Sequence, residues 1–242
     1  MSLSLIIPAY NEEERIVPFL LSIAAYCKKH PEDISEVIVV DDGSKDATAR
    51  VAKESGSAIS GMRVISLPQN KGKGAAVQEG VLAASGNMIV FMDADGATGI
   101  EELPKMIAAL KNSDVAIGNR WMEGAKTERH SLLRAISGFV YRNYMKLFGL
   151  GDVDTMCGFK GYASSAAKDL YASLREMRWL FDTEIAYRAI QRGYRITNFP
   201  IAWESKDGSK LSTSTLFASA LNIFPLIVSI RKEEHKKRAI AK

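Results

Sequence analysis

Short β-branched runs alternate with helical patterns through the first half of the chain, and that rhythm leaves few architectures open. Strands are expected at residues 3–7, 37–40, 63–66, 88–92 and 115–117, with helices at 13–29, 47–54, 74–84 and 101–110 between them. Such a succession closes into βαβ units. The expected fold is therefore α/β, with a mainly parallel sheet flanked by helices and a ligand site beyond the carboxyl ends of the strands. The polar clusters of the sequence fall at those ends. From Trp121 the rhythm breaks into a polar loop, a helical segment at 132–148 and a Gly-rich turn. A strand near 159–162, helices near 166–174 and 183–191 and a strand near 195–201 follow. No repeat, low-complexity tract or linker divides the chain, and 242 residues suit one large α/β domain with an elaboration.

Charge placement narrows the partners. Lys and Arg number 32 and Asp and Glu 28, and residues 231–242 alone hold six basic and two acidic side chains. The rest of the chain is neutral, which speaks against a nucleic-acid-coating protein and for a globule with a basic end. Cys27 and Cys157 have no zinc-type spacing and fit a reducing cytosol. The start of the chain runs straight into a strand pattern, so no secretory leader is expected there. The longest stretch without charge, residues 211–230, contains seven Ser, Thr or Asn and Pro225, and suits an interfacial helix better than a spanning one.

Strand one ends in Pro8-Ala9-Tyr10-Asn11-Glu12-Glu13, a turn rich in hydrogen-bonding groups. Strand two ends in Asp41-Asp42-Gly43-Ser44, where a carboxylate can accept a nucleobase N–H. Either motif alone reads equally as helix capping and turn chemistry. After strand three, Asn70-Lys71-Gly72-Lys73-Gly74 offers backbone N–H groups and lysines to a phosphate, without the spacing of a Walker loop. The sharpest signal is Asp93-Ala94-Asp95 after the apolar run 88–92. Continued in extended form, residues i and i+2 face one side and the two carboxylates repel. A divalent cation, Mg²⁺ or Mn²⁺, that takes its other ligands from a diphosphate removes the conflict.

In this order and at these spacings, IIPAYNEE, VVDDGSKD, NKGKGAAVQEG, MDADGA and IGNR resemble the family-2 glycosyltransferases of the GT-A fold, most nearly the polyprenyl-phosphate (dolichyl-phosphate) hexosyltransferases. DADGAT is more similar to the dolichyl-phosphate glucosyltransferase branch than to the mannosyl branch. The resemblance covers residues 3 to about 210 and implies a catalytic domain over 1–210, leaving 211–242 as an amphipathic segment and basic tail. Implied for the donor are Pro8, Ala9, Tyr10, Asn11, Glu12, Asp41, Asp42, Lys73, Asp93, Ala94, Arg120 and Lys210. Asp93 and Asp95 would serve the metal. Arg129, Arg134 and Ser137 would hold the acceptor phosphate, and residues 207–211 are similar to a loop that closes over the donor. Catalytic weight falls on Asp95, Arg134 and, in reserve, Asp182 at the start of a helix. Ala97 stands where relatives can have a metal-assisting Gln.

Helical spacing places Arg134, Arg142 and Lys146 together, with Leu133, Ile136, Val140, Tyr144 and Leu147 on another face. That is a basic amphipathic helix suited to a membrane surface. Leu216, Ala220, Ile223, Phe224 and Ile227 form a second such stripe ahead of the basic tail. Either helix alone could equally pack on the domain. Joined to the resemblance, the pair suits a peripheral membrane protein, and the resemblance implies an enzyme on the cytoplasmic face of a membrane that transfers a hexose, foremost glucose from UDP-glucose, to dolichyl or polyprenyl phosphate. The rivals are mannose from GDP-mannose, a saccharide hydroxyl as acceptor with Asp182 as base, and a silent sugar-nucleotide-binding module. The three histidines carry no assigned role.

Overall fold

The computed structural model describes residues 2–128, 132–206 and 213–240; the side chains of residues 132–135, 137, 213–221 and 240 lie outside that description. The first half runs β1 (Leu3–Ala9), α1 (Ile16–Lys29), β2 (Glu36–Asp41), α2 (Thr48–Ser55), β3 (Met62–Ser66), α3 (Lys73–Ala83), β4 (Met88–Met92), α4 (Leu103–Leu110) and β5 (Val115–Asn119). Then come β6 (Lys126–Glu128), α5 (Leu132–Lys146), β7 (Phe159–Ala163), α6 (Ser164–Ala172), α7 (Phe181–Arg192), β8 (Ile196–Pro200), β9 (Ala202–Glu204) and α8 (Thr213–Ile240). The main sheet has the order β3-β2-β1-β4-β7-β5-β8, and β6 pairs with β9 separately. Apart from β7, which is antiparallel to both neighbours, the pairings in the main sheet are parallel, as the βαβ rhythm requires.

Every residue of β1 and β4 is buried, the signature of strands covered on both faces. Successive side chains feed two apolar layers. Ile6, Ile38 and Phe91 pack with α3, α6 and α7 on one side, while Leu5, Val37, Val39 and Val90 pack with α1 and α4 on the other. Because β7 inserts between β4 and β5, the turn that precedes it lies beside the carboxyl end of β4. This brings the second half of the chain into the site.

The C-terminal stripe corrects one expectation. Ile223, Ile227 and Ile230 of α8 are buried in the layer that holds Tyr141, Met145 and Tyr187, so they face protein; Phe224 remains exposed. Glu233 and Glu234 also turn inward. Fully buried Arg188 donates to Glu184, Glu234 and Glu233 at 2.8, 2.6 and 3.0 Å, and Arg192 donates to Glu234 and Asp169. Arg231, Lys232, Lys236 and Arg238 stay exposed, so the outer surface of the tail is more basic than its composition. On α5, Ile136, Phe139 and Val140 are exposed, as is Leu147 directly after it, while Tyr141 and Met145 anchor the helix. Among the described residues no helix is long and apolar enough to cross a membrane.

At the amino ends of the strands, Glu36 accepts hydrogen bonds from Ser4 Oγ (2.6 Å), Ser85 N (2.7 Å), Ser85 Oγ (2.6 Å) and Arg63 (3.0 Å). Burial would raise its pKa, yet these donors outweigh burial and bring it down to about 2. A carboxylate with a depressed folded pKa stabilises above its unfolded value and loses that contribution as pH falls toward the folded one. Glu36→Gln should therefore cost on the order of 2 kcal/mol at pH 7 in urea unfolding. The gap to the parent should shrink below about pH 4. A gap unchanged at pH 3 would contradict this account.

Candidate active site

The site begins with two turns laced to each other. Ala9 pairs with Asp41 in the β1–β2 register, so Tyr10-Asn11-Glu12 and Asp42-Gly43-Ser44 emerge side by side. Asn11 takes a positive φ of 51°, a conformation Asn tolerates better than most residues. Its N–H donates to Ser44 Oγ at 2.9 Å, and its Oδ1 accepts the Lys45 N–H at 2.8 Å. Glu12 N donates to Thr48 Oγ1 at 2.7 Å, and the Glu12 carboxylate pairs with Arg15. Asn11, Glu12, Arg15, Asp95, Gly96 and Lys206 are among the groups lining an open cleft of about 930 Å³.

Asp42 is 2% exposed, and its two oxygens accept the N–H groups of Lys71 and Gly72 at 2.7 and 2.8 Å, so its carboxylate builds the neighbouring loop. Asp41 is likewise buried and accepts the Ser44 N–H at 3.2 Å. The same bonds correct the reading of the Gly-rich loop. Its Lys71 and Gly72 N–H groups serve Asp42, and the Ala75 N–H serves Met177 O, so these donors face protein acceptors and not a phosphate cradle. At Gly72 a Cβ would lie 2.3 Å from Met177 O, which makes glycine necessary there. Pro8, Ala9 and Ala94 are buried backbone-forming positions, and Tyr10 is half-buried.

Asp93 and Asp95 do come together, although through a turn and not a continued strand: β4 ends at Met92 and Gly96 N reaches back to Asp93 O at 3.4 Å. Asp95 Oδ1 accepts the Ala97 N–H at 3.0 Å. Burial, followed by the Asp93 charge, raises the Asp95 pKa, the electrostatic sign of two crowded carboxylates. Lys73, first residue of α3, places Nζ 2.5 Å from Asp93 Oδ1. Burial lowers the Lys73 pKa, but Asp93, Asp182 and Asp95 together more than reverse it. Asp93 also abuts Gly158, where a Cβ would lie 1.9 Å from Asp93 Oδ2. Any side chain at residue 158 would evict the carboxylate.

Two partners escaped the sequence reading. Arg120 forms a bidentate pair with buried Asp154 at 2.8 Å for each bond, beneath the Trp203 ring at 5.0 Å. Burial lowers the Arg120 pKa and Asp154 overturns that effect, so the guanidinium is fixed and has N–H groups left for an anion. Lys160, 1% exposed, pairs with Asp182 Oδ1 at 2.9 Å and donates to the carbonyls of Cys157 and Thr155. Burial raises the Asp182 pKa more than Lys160 and Lys73 lower it. Asp182 is thus a buried ion-pair member, 5% exposed, and not an accessible base. A lysine inside the apolar run of β7 was the one available signal. Arg129 and Lys210 lie outside the described residues; Arg134 and Ser137 lie on α5, but their side chains are outside the description.

Residues 4–171 match the family described as Glycosyl transferase family 2. The dolichyl-phosphate beta-glucosyltransferase of Drosophila melanogaster is 37% identical over 88% of this chain and 70% of its own. That of Saccharomyces cerevisiae is 33% identical over 87% and 69%, and ALG5C of Trichomonas vaginalis 35% identical over 93% and 71%. In fold, the chain is similar to Mycobacterium tuberculosis glucosyl-3-phosphoglycerate synthase, with a TM-score of 0.70 and 20% identity over 95% of this chain and 80% of that one. A complex of the same enzyme with Mn²⁺, UDP and glucosyl-3-phosphoglycerate gives a TM-score of 0.68 at 19% identity, over 95% and 79%. With the family matched across most of the strands that build the site, the chain belongs to glycosyl transferase family 2 and has its GT-A fold.

Proposed function

We propose that the chain transfers glucose from UDP-glucose to dolichyl or another polyprenyl phosphate, in one displacement that inverts the anomeric carbon. The observation that carries this reading is the 33–37% identity, over most of the chain, to dolichyl-phosphate beta-glucosyltransferases. The site residues fit a divalent cation. Asp93 and Asp95 crowd each other, and among the described residues no third acidic, His or Cys side chain joins them. Two carboxylates completed by diphosphate oxygens and water suit Mg²⁺ or Mn²⁺. Bound there, the metal offsets charge that grows on the leaving diphosphate.

This chain's own residues supply the rest. Arg120, fixed by Asp154, directs its remaining N–H groups at anionic oxygen, and Lys73 adds a second positive charge. A phosphate monoester is largely dianionic at pH 7, so the acceptor needs no strong base. That suits Asp182, committed to Lys160. Arg134 and Ser137 on α5, with Arg129, hold the acceptor phosphate. The exposed face Ile136, Phe139, Val140 and Leu147 beds α5 in the lipid surface at the cytoplasmic face of the membrane. Residues 1–210 carry the chemistry. Within 211–242, Phe224 and the exposed basic side chains of α8 add attraction to acidic headgroups, about 1 kcal/mol per charge near the surface.

The direct test offers purified protein labelled UDP-glucose or GDP-mannose, with and without a short polyprenyl phosphate. Lipid-extractable label should come from UDP-glucose, need Mg²⁺ or Mn²⁺ and vanish in excess EDTA; label from GDP-mannose instead would overturn the donor. Arg134→Ala should lower transfer by orders of magnitude with UDP binding retained, since the nucleophile loses a charge-assisted contact. Asp182→Asn should lose less transfer but strand buried Lys160, at a cost of about 3 kcal/mol in stability. Full activity of Arg134→Ala beside a stable, inactive Asp182→Asn would point to a hydroxyl acceptor. Phe139→Asp should weaken sedimentation with anionic vesicles while leaving transfer to a short, soluble acceptor intact. Unchanged sedimentation would remove α5 from the membrane contact.

A further inference from the structure

Lys73 Nζ stands against an Asp93 oxygen that a bound cation would use. It contacts Asp93 Oδ1 at 2.5 Å, and the rings of Phe91 and Trp179 each lie 5.9 Å from it. The Lys73 side chain is 19% exposed and that of Asp93 33%, so the pair lies at the rim of the site and not sealed beneath it. Gly158 crowds the other carboxylate oxygen, which limits how far Asp93 can turn to serve two cations at once. A second carboxylate is at hand for the ammonium. Asp182 acts electrostatically on Lys73 while its Oδ1 pairs with Lys160 at 2.9 Å.

We propose that Lys73 is a resident counter-ion that a divalent cation displaces from Asp93, so that metal and nucleoside diphosphate bind as a coupled pair. This rests on the donor and metal reading above. Metal arriving alone must push an ammonium off its carboxylate and leave it beside a dication. A diphosphate arriving alone meets Asp93 and Asp95 with a single ammonium between them. When both arrive, the released ammonium pairs with the diphosphate and Asp182, and the dication takes over the two aspartates. Each ligand removes the other's obstacle, and linkage makes the enhancement equal in both directions. Lys73 is then a positioning residue that sets the binding order of the site, apart from any contact it makes during transfer.

The test measures Mn²⁺ binding from the spin-resonance signal of the free ion, with and without saturating UDP, and UDP binding by calorimetry with and without Mn²⁺. In the parent protein UDP should tighten Mn²⁺ binding on the order of tenfold or more, and Mn²⁺ should tighten UDP by the same factor. Lys73→Met should bind Mn²⁺ alone on the order of tenfold more tightly than the parent, with a smaller enhancement by UDP. Lys73→Arg keeps the counter-ion and should keep metal-alone binding weak. Arg15→Gln is the control for a general field effect, because the Arg15 charge also acts on Asp95 while its ion pair is with Glu12. It should change metal-alone affinity by about twofold or less. The displacement is refuted if Lys73→Met binds Mn²⁺ alone no more tightly than the parent, or if Arg15→Gln gains as much. Failure of the parent to bind Mn²⁺ even with UDP would instead bring down the metal reading, and the displacement with it. Matched thermal unfolding of the two Lys73 variants separates these outcomes from misfolding.

Discussion

Charge of alternating sign, buried at Lys160–Asp182 and half-buried at Lys73–Asp93, is the constraint on which the site depends. Lys160 pairs with Asp182, Lys73 pairs with Asp93, and Asp182 also acts on Lys73. Each ammonium has a carboxylate against it, and that pairing offsets the cost of taking either charge out of water. Removing one partner of the buried Lys160–Asp182 pair would strand the other, while the charges of the two pairs balance.

The loops above these pairs are held by carboxylates that accept backbone N–H groups. Asp42 fastens the Lys71–Gly72 turn, and Glu184 accepts the N–H groups of Arg175 and Glu176 next to Met177, whose carbonyl receives the Ala75 N–H. Glu184 is itself gripped by Arg188, which α8 clamps through Glu233 and Glu234. The turn carrying Lys73 is thus tied through side chains and short backbone bonds to the far end of the chain. Such a chain of contacts fixes the backbone from which Lys73 reaches Asp93.

The central strands were legible because burial on both faces leaves an uninterrupted apolar run, as at Met88 to Met92. The crowding of Asp93 and Asp95 was legible because two acids directly after such a run have few ways to avoid each other. Three things were not. Asp154 and Lys160 find Arg120 and Asp182 only through the antiparallel insertion of β7, and a single acid in a Gly-rich turn or a single lysine in a strand has no periodicity to betray it. β6 and β9, three residues each, are too short for any pattern. Ile223 and Ile227 were assigned to the membrane because an apolar stripe at helical spacing looks the same whether lipid or protein covers it; here α7 does.

The place of β7 also bears on how the chain comes to be built. β4 and β5 do not touch along their ladders; β7 stands between them, and its residues leave the ribosome well after both. Until Phe159 to Ala163 arrive, β4 has one unsatisfied edge along five buried residues, the kind of edge that recruits strands from other chains. The aspartates that follow β4 are made early but acquire their seat at Gly158, and the partner of Asp182 at Lys160, only when that edge closes. Binding competence in this fold is therefore a late event in biosynthesis, and the interval before it is the chain's most vulnerable to aggregation.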